Sequence, residues 1–293
     1  MTEILGVHGV GNHRPGQSPD EAAAALAAIW AKALGAGVPP TTPRGGTGRG
    51  VAVAYYADLL RPPGRQGEDD LDSLDDAERE LVATWLRQCG LPEATAAGRA
   101  TAPLRQGLAW LARTRGLGRP ATEWFVTRFF REVAAYLGTP ARRLVRQRIA
   151  HAVSTHRPRV LIAHSLGSVA AYEALWENHS LRVELLITLG SPLALPHAVF
   201  PRLQPAPVGQ RGARPPGVAR WVNLADPGDL VALPPMGVER AFDGVDRTQP
   251  RARPIHAFDF HKVVNYLALP QVRALLEPEA QPPAAGQAPH IPR

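Results

Sequence analysis

Short apolar segments alternate with helical patterns along most of the chain, and this alternation restricts the fold more than any other feature. Five such segments are present: 3–8, 51–56, 159–163, 183–189 and 219–224. Mainly apolar strands are typical of a parallel sheet that is buried on both faces by helices. The sequence therefore predicts an α/β fold with a mostly parallel central sheet flanked by helices.

Helix boundaries are marked by local signals. Ser18 suits the N-cap of the first helix, Pro19 suits its first turn, and Glu21 can bond back to the cap, while Gly35 ends the helix. The apolar periodicity and further start signals predict helices over 71–87 and 122–137, after Thr139-Pro140, and from Lys262.

Residues 1–277 are predicted to form one domain, with 65–140 as a helical cap inserted into it and 278–293 as a disordered tail. Six prolines in 196–217 predict a long mobile loop, and one more strand is expected near 255–258. The aromatic residues of the insertion either line an acyl pocket or form the core of the cap: Trp85, Trp110, Trp124 and Phe129.

The positive charge of the chain is unevenly distributed. The net charge is +7, with 13 arginines and two acids in 99–159, and eight acids with one arginine in 68–80. One interpretation is a pair of solvated helical surfaces that attract each other. The other is a basic face that associates weakly with anionic surfaces. The sequence contains no nucleic-acid-binding motif, so no nucleic-acid partner is expected.

The location of the protein is predicted from cysteine usage and hydropathy. Cys89 is the single cysteine, which excludes an internal disulfide in this sequence. The N-terminus shows no signal-peptide pattern, and no window of eighteen uninterrupted apolar residues predicts a membrane span. We therefore expect a cytoplasmic protein.

The segment "VLIAHSLGS", residues 160–168, places one serine between a strand and a helix. Strand, x-x-Ser-x-Gly and helix is the sequence form of a nucleophile elbow, in which small flanking residues permit a tight turn. Ser165 is the candidate nucleophile, with Ala163 and Gly167 at the flanking positions. The alternative is a serine that only caps the following helix.

The segment "GVHGVGN", residues 6–12, follows the first strand. Acyl transfer needs N–H donors aimed at the developing oxyanion, and the amides of Val10 and Leu166 are the candidates. A dinucleotide-binding loop is the competing interpretation, but the glycines do not have the G-x-G-x-x-G spacing. His8 is expected to pack within the loop and not to act as the base.

Together, "VHGVGN", "AHSLGS", "TLGSP" in 188–192, and the segments 221–235 and 259–272 resemble the α/β-hydrolase superfamily, on its lipase and esterase side. The resemblance covers roughly 70 residues. It implies an α/β-hydrolase fold with a cap, and a triad in the chain order Ser, Asp, His. Ala163 departs from the family pattern, because a glycine is usual there.

The resemblance also implies roles for individual residues. Asp229 is the expected triad acid, with Asp226 as an open alternative in the same segment. His261 is the expected base, and His256 is the less favoured candidate. His164 is expected to pack beside the nucleophile. No cofactor and no catalytic metal are expected, because the histidine spacings match no metal site.

These residues predict a serine hydrolase that cleaves a carboxylic ester, a thioester or a lipid through an acyl-Ser165 intermediate, with a small-molecule acyl or lipid substrate. Two alternatives stay open. An acyltransferase or cyclising enzyme would use the same triad with another acceptor. A non-catalytic binding protein of the same fold would need no intact triad.

Overall fold

The five predicted strands form one sheet in a computed structural model that describes residues 3–35, 50–60, 70–92, 101–246 and 261–277. The strands of the described residues are β1 (Ile4–Val7), β2 (Val51–Ala54), β3 (Val160–His164), β4 (Val183–Leu189), β5 (Gly212–Ala213), β6 (Val218–Leu224) and β7 (Phe242–Asp243). The central sheet has the order β2-β1-β3-β4-β6, and every pair in it is parallel. This confirms the predicted parallel sheet. The strand expected near 255–258 and the tail 278–293 lie outside the described residues.

Helices flank the sheet on both faces, as predicted. Their bounds are α1 (Pro19–Leu34), α2 (Asp76–Gln88), α3 (Thr101–Arg115), α4 (Arg119–Gly138), α5 (Ala141–His156), α6 (Leu166–Glu177), α7 (Gly237–Ala241), α8 (Val263–Leu267) and α9 (Pro270–Leu276). The capping box at Ser18 is formed: Ser18 Oγ accepts from the Glu21 amide at 3.3 Å, and Glu21 Oε2 accepts from the Ser18 amide at 2.8 Å.

Two helix boundaries differ from the predictions, and α3 was not predicted. The helix expected over 71–87 is divided into a 3₁₀ turn at Leu71–Ser73 and α2, because Asp75 caps α2 by accepting from the Glu78 amide at 2.9 Å. Helix α4 begins at Arg119, before the expected residue 122, and Pro120 occupies its first turn.

Alternate side chains of each strand point to opposite faces of the sheet. Leu161 and Ala163 belong to the larger core, which contains α2–α6, whereas Val160 and Ile162 belong to a second core with α1, α8 and α9. Helix α6 lies within the larger core and is buried from Leu166 to Leu175. Ser165 therefore stands at the start of the most enclosed helix.

The helices α2, α3 and α4 of the predicted insertion pack on one another and share the larger core with the sheet. Trp85 and Phe129 are buried in that core, Trp110 is partly buried against it, and 51% of Trp124 is exposed. Over its described residues, the insertion therefore packs as part of the main body of the protein. Its aromatic residues range from fully buried core residues to the half-exposed Trp124.

The segment 196–217 differs from the predicted mobile loop. It contains a 3₁₀ turn at Phe200–Arg202 and the strand β5, which pairs in parallel with β7. The amide of Gln204 donates to Glu173 Oε1 of α6 at 3.0 Å. Proline content indicated an irregular path correctly, but the buried carboxylate that anchors the segment lies far away in sequence.

Many arginines of the basic stretch are paired within the protein. Arg105 lies 3.0 Å from Asp70 and 2.8 Å from Asp72, so the acidic and basic stretches attract each other. Further pairs are Arg119–Glu123, Arg128–Glu132, Arg142–Glu173, Arg146–Glu177, Arg148–Asp58 and Arg159–Glu3. This pairing favours the first interpretation of the charge distribution. In the described part of the chain, no helix combines the length and the apolar character that crossing a membrane requires.

Candidate active site

The strand order creates a crevice at the carboxyl ends of β1 and β3. The chain passes from β1 outward to β2, and then returns to place β3 on the other side of β1. The loops that follow β1 and β3 therefore lead away from each other. Parallel α/β sheets bind their ligands at such a point, where the strand order reverses. The loop after β1 carries Val10, and the turn after β3 carries Ser165.

Ser165 adopts a strained backbone conformation between β3 and α6. Its φ of 54° and ψ of −132° are unusual for a residue with a side chain, and such a conformation costs roughly 1–3 kcal/mol. The amide of Ser165 donates to the carbonyl of Leu189 at 3.0 Å, which fixes the turn on β4. The side chain makes no capping hydrogen bond to α6. The alternative of a serine that only caps this helix therefore does not describe the turn.

Two glycines allow the loop after β1 to lie directly against this turn. A Cβ on Gly167 would stand 2.2 Å from the carbonyl oxygen of His8, and a Cβ on Gly9 would stand 2.6 Å from the Cβ of Ser165. Neither space accepts a methyl group without movement of the backbone. The approach brings the Val10 amide, which follows Gly9, close to the serine.

Ser165, His261 and Asp229 form a continuous hydrogen-bonded chain. His261 Nε2 lies 2.8 Å from Ser165 Oγ, and His261 Nδ1 lies 2.8 Å from Asp229 Oδ2. Ser165 directly follows β3, Asp229 lies in the loop after β6, and His261 precedes α8. Each is at least nine-tenths buried. Since a carboxylate only accepts, Nδ1 carries the proton and Nε2 is free to accept from the serine hydroxyl.

Asp229 is held by further hydrogen bonds. Its Oδ1 accepts from the Val231 amide at 2.8 Å, and its Oδ2 accepts from the Tyr266 hydroxyl at 2.7 Å. Burial, followed by the charge of Asp229, raises the pKa of Tyr266 well above its usual value, so the hydroxyl stays protonated and donates. These bonds fix the carboxylate against His261.

Asp226 has a different position. Its Oδ1 accepts from the Gly228 amide at 2.6 Å, and its carbonyl accepts from the Asp229 amide at 2.9 Å. Asp226 therefore caps the turn that delivers Asp229 to His261. His256, the other alternative of the sequence analysis, lies outside the described residues.

The predicted oxyanion donors are the backbone amides of Val10 and Leu166. Neither the Val10 amide nor the Leu166 amide donates a hydrogen bond to any of the described residues. Asn12 Nδ2 donates to the carbonyls of Gly9 at 3.0 Å and Val10 at 3.1 Å, which holds the loop in a defined conformation. The geometry is compatible with the predicted donors, and their role stays a prediction.

His8 packs in the loop, as expected. Its Nδ1 donates to the Gly9 carbonyl at 2.8 Å, its Nε2 accepts from the Tyr56 amide at 3.1 Å, and its ring stacks on that of Tyr56. Burial lowers the pKa of His8 to about 4, so this imidazole is neutral near pH 7.

His164 lies beside His261. Its ring centroid is 4.7 Å from that of His261. Burial, and then the charge of His261, lowers the pKa of His164 well below its usual value. Its ring stays neutral, so it adds no fixed charge beside the triad.

A cavity of about 690 Å³ opens beside His261, a volume typical of small-molecule sites. No Asp or Glu belongs to the described residues that line it. The apolar lining includes Trp85, Leu117, Trp124, Phe125, Val126, Leu230, Val263 and Val264, and the polar lining includes Asn12, Thr122, His164 and Lys262. Trp85 also donates from Nε1 to the Leu230 carbonyl at 2.7 Å, so α2 is attached to the loop that carries Asp229. The cavity suits an apolar group of a ligand.

Sequence reasoning missed several residues that shape the site. Tyr266 had a local signal, because it lies only five residues after His261, the predicted base. Gly190 has a φ of 53°, and a Cβ there would stand 2.7 Å from Asp229 Oδ2. Glu132 has no local signal, since it binds Gly11 across 121 residues of chain.

In the part of the chain that the structure describes, no group of three or more His, Cys, Asp or Glu side chains is placed to hold a metal ion. Comparisons of the chain with protein-family models, curated proteins and solved structures find no match.

Proposed function

We propose that the protein is a serine hydrolase that cleaves a carboxylic ester, a thioester or a lipid through an acyl-Ser165 intermediate. The observation that carries the proposal is the hydrogen-bonded chain from Ser165 through His261 to Asp229, whose middle residue, His261, lies in the wall of a largely apolar cavity. A serine hydroxyl becomes a useful nucleophile when a base accepts its proton and a third group orients that base. These three side chains meet that requirement.

We further propose an α/β-hydrolase fold with a helical cap. The parallel sheet, the strained Ser165 turn between β3 and α6, and the chain order Ser, Asp, His support it. The cap of this proposal corresponds to α2, α3 and α4. Residues of α2 and α4 line the cavity, which is the position expected of a cap that covers the acyl group.

In the proposed reaction, Ser165 Oγ attacks the carbonyl carbon of the substrate while His261 Nε2 takes the hydroxyl proton. The amides of Val10 and Leu166 stabilise the oxyanion, and one such donor contributes about 10²–10³-fold to kcat in known enzymes. The bond to the leaving group then breaks as His261 donates the proton to it. Ser165 is left as an acyl ester.

Water completes the cycle. His261 takes a proton from water, the resulting nucleophile attacks the acyl ester, and the carboxylic acid leaves as the proton returns to Ser165 Oγ. The chemistry needs only these side chains and amides. A small-molecule acyl or lipid substrate suits the apolar lining of the cavity.

A fluorophosphonate probe with intact-mass analysis tests the proposal. We expect one adduct on the wild type and none on Ser165→Ala. Ser168 is a matched control, because it is a neighbouring buried serine whose Oγ bonds the carbonyl of Ser165 at 2.6 Å. The adduct is expected to persist in Ser168→Ala. Absence of an adduct on folded wild-type protein, or its persistence in Ser165→Ala, contradicts the proposal.

Product analysis tests the choice of water as acceptor. A p-nitrophenyl ester is hydrolysed with and without an added alcohol or amine, and the acid and transfer products are quantified. A predominance of transfer product at low acceptor concentration would assign an acyltransferase on the same triad. The cytoplasmic location also stays a prediction, which cell fractionation tests.

A further inference from the structure

We infer that Glu132 is a positioning residue for the oxyanion loop, which we define as residues 9–12. The inference rests on the proposed hydrolase function and adds to it a residue of the helical insertion. The amide of Gly11 donates to both carboxylate oxygens of Glu132, at 3.1 Å each. Helix α4 therefore reaches back to the loop that follows the first strand.

The environment of Glu132 indicates a specific role for its carboxylate oxygens as hydrogen-bond acceptors. Only 4% of its side chain is exposed, although a buried carboxylate is costly unless it is hydrogen-bonded or paired. Arg128, one turn earlier in α4, has its Nε 3.6 Å from Glu132 Oε1. Both carboxylate oxygens therefore have polar neighbours in this buried position, and the Gly11 amide is a neighbour of each.

Glu132 and Asn12 bind different backbone groups of the oxyanion loop. Asn12 binds the carbonyls of Gly9 and Val10, whereas Glu132 binds the Gly11 amide. Gly11 has a φ of 78°, so the chain turns sharply where Glu132 holds it. The Val10 amide lies between these anchor points and has no acceptor among the described residues. Glu132 therefore helps to set the direction of that amide.

Helix α4 also forms one wall of the cavity. Its Phe125 lines the cavity, and the Phe125 ring centroid lies 5.6 Å from that of His261. The same helix thus contacts the cavity through Phe125 and the oxyanion loop through Glu132. Helix α4 therefore helps to position both the cavity wall and the oxyanion loop relative to Ser165.

The test compares Glu132→Ala and Glu132→Gln with the wild type, using hydrolysis of p-nitrophenyl butyrate and hydrogen–deuterium exchange of the peptide that contains Gly11. We expect Glu132→Ala to lower kcat by about 10–100-fold. A displaced Val10 amide should stabilise the oxyanion less well, but the loss should be smaller than the roughly 10²–10³-fold loss on deleting an oxyanion donor. KM should change by less than about twofold, since ground-state binding in the cavity is retained. Exchange of the Gly11 amide should become faster.

Glu132→Gln should restore most of kcat and of the amide protection, because its amide oxygen can accept from Gly11. Glu123→Ala and Glu123→Gln are the matched controls, since Glu123 is on the same helix, pairs with Arg119 and is not among the described residues that line the cavity. Both should behave like the wild type. Glu132→Gln keeps the test valid if Glu132→Ala fails to fold.

Wild-type kcat in Glu132→Ala, or unchanged exchange of the Gly11 amide, would overturn the inference. Equal defects in folded Glu132→Ala and Glu132→Gln would also overturn it, because they would assign the effect to the charge alone. Failure of the proposed function is distinguishable: the wild type would then neither hydrolyse the ester nor react with the fluorophosphonate.

Discussion

Two buried carboxylates in this protein have similar surroundings and different partners. Asp229 and Glu173 are both almost completely inaccessible to solvent. Each accepts from a buried tyrosine hydroxyl at 2.7 Å, from Tyr266 in one case and Tyr136 in the other. Burial, and then the neighbouring carboxylate, raises the pKa of each tyrosine well above its usual value. Each carboxylate also accepts from a backbone amide.

The third partner distinguishes the two sites. Glu173 binds the guanidinium of Arg142, which keeps its charge at every accessible pH and closes an ion pair between α5 and α6. Asp229 binds the imidazole of His261, whose other ring nitrogen is bonded to Ser165. A buried carboxylate alone is therefore poor evidence for an active site. The partner of the carboxylate indicates its role: an arginine partner points to stabilisation of the fold, and a histidine partner that contacts a serine points to orientation of a base.

The largest expected effect comes from the acid of the triad. Asp229→Asn should lower kcat/KM for a p-nitrophenyl ester by about 10³–10⁴-fold, because an amide in that place favours the wrong tautomer of His261. Asp226→Asn should lower it by less than about tenfold, since the Asp226 carboxylate caps the turn through the Gly228 amide. A larger loss in Asp226→Asn than in Asp229→Asn would reverse the assignment.

The next effect is on stability. Glu173→Gln leaves the buried guanidinium of Arg142 without its counter-charge and should lower the free energy of unfolding by about 3–5 kcal/mol. We expect kcat per folded molecule to change by less than about twofold. Glu177→Gln is the control, because the Glu177 side chain is 42% exposed, and the substitution should cost under about 1 kcal/mol. Urea denaturation and active-site titration measure both quantities, and a loss of kcat in folded Glu173→Gln would break the comparison.

His8 is a buried imidazole near Ser165, and its lowered pKa makes the stability of the protein depend on pH. Its pKa is about 4 in the folded protein, against 6.5 for the ordinary group. The unfolded chain therefore binds a proton that the folded protein does not accept between these pH values. The resulting stability is fully present above pH 6.5 and falls by about 3 kcal/mol as the pH decreases to about 4.

Urea denaturation at several pH values between 7 and 4 checks this, with His8→Gln as the comparison. The wild type should lose stability on acidification, and His164 should add to the loss because its pKa is also lowered. The curve of His8→Gln should be flatter. Equal slopes for the two proteins would mean that His8 does not titrate as described.

The smallest expected effect is a difference in kcat between variants of the two tyrosines that bind these carboxylates. Tyr136→Phe and Tyr266→Phe each remove one hydrogen bond to a buried carboxylate and should cost about 1–3 kcal/mol of stability. Only Tyr266→Phe should also lower kcat, by up to about tenfold, because Asp229 then orients His261 less firmly. An equal kcat for both variants would show that the Tyr266 bond serves stability alone.

Much of the fold and the turn that holds Ser165 were predictable because their signals are local. Ser18 and Glu21 define the first helix within one turn, and the period of apolar residues indicates which segments are buried. The turn at Ser165 was predictable because strand, small residues and helix are consecutive. Asp229 was expected from a resemblance in a short segment, yet Asp226 in the same segment stayed open.

The sequence by itself determined the alternation of strands and helices, their caps and the elbow at Ser165, because these depend on neighbours within a few residues. Only the tertiary structure decided which aspartate faces His261, since the turn capped by Asp226 directs Asp229 toward a histidine 32 residues away. It also decided that Glu132 holds Gly11 and that Glu173 anchors Gln204. Such bonds join distant segments, and no pattern within either segment specifies the partner.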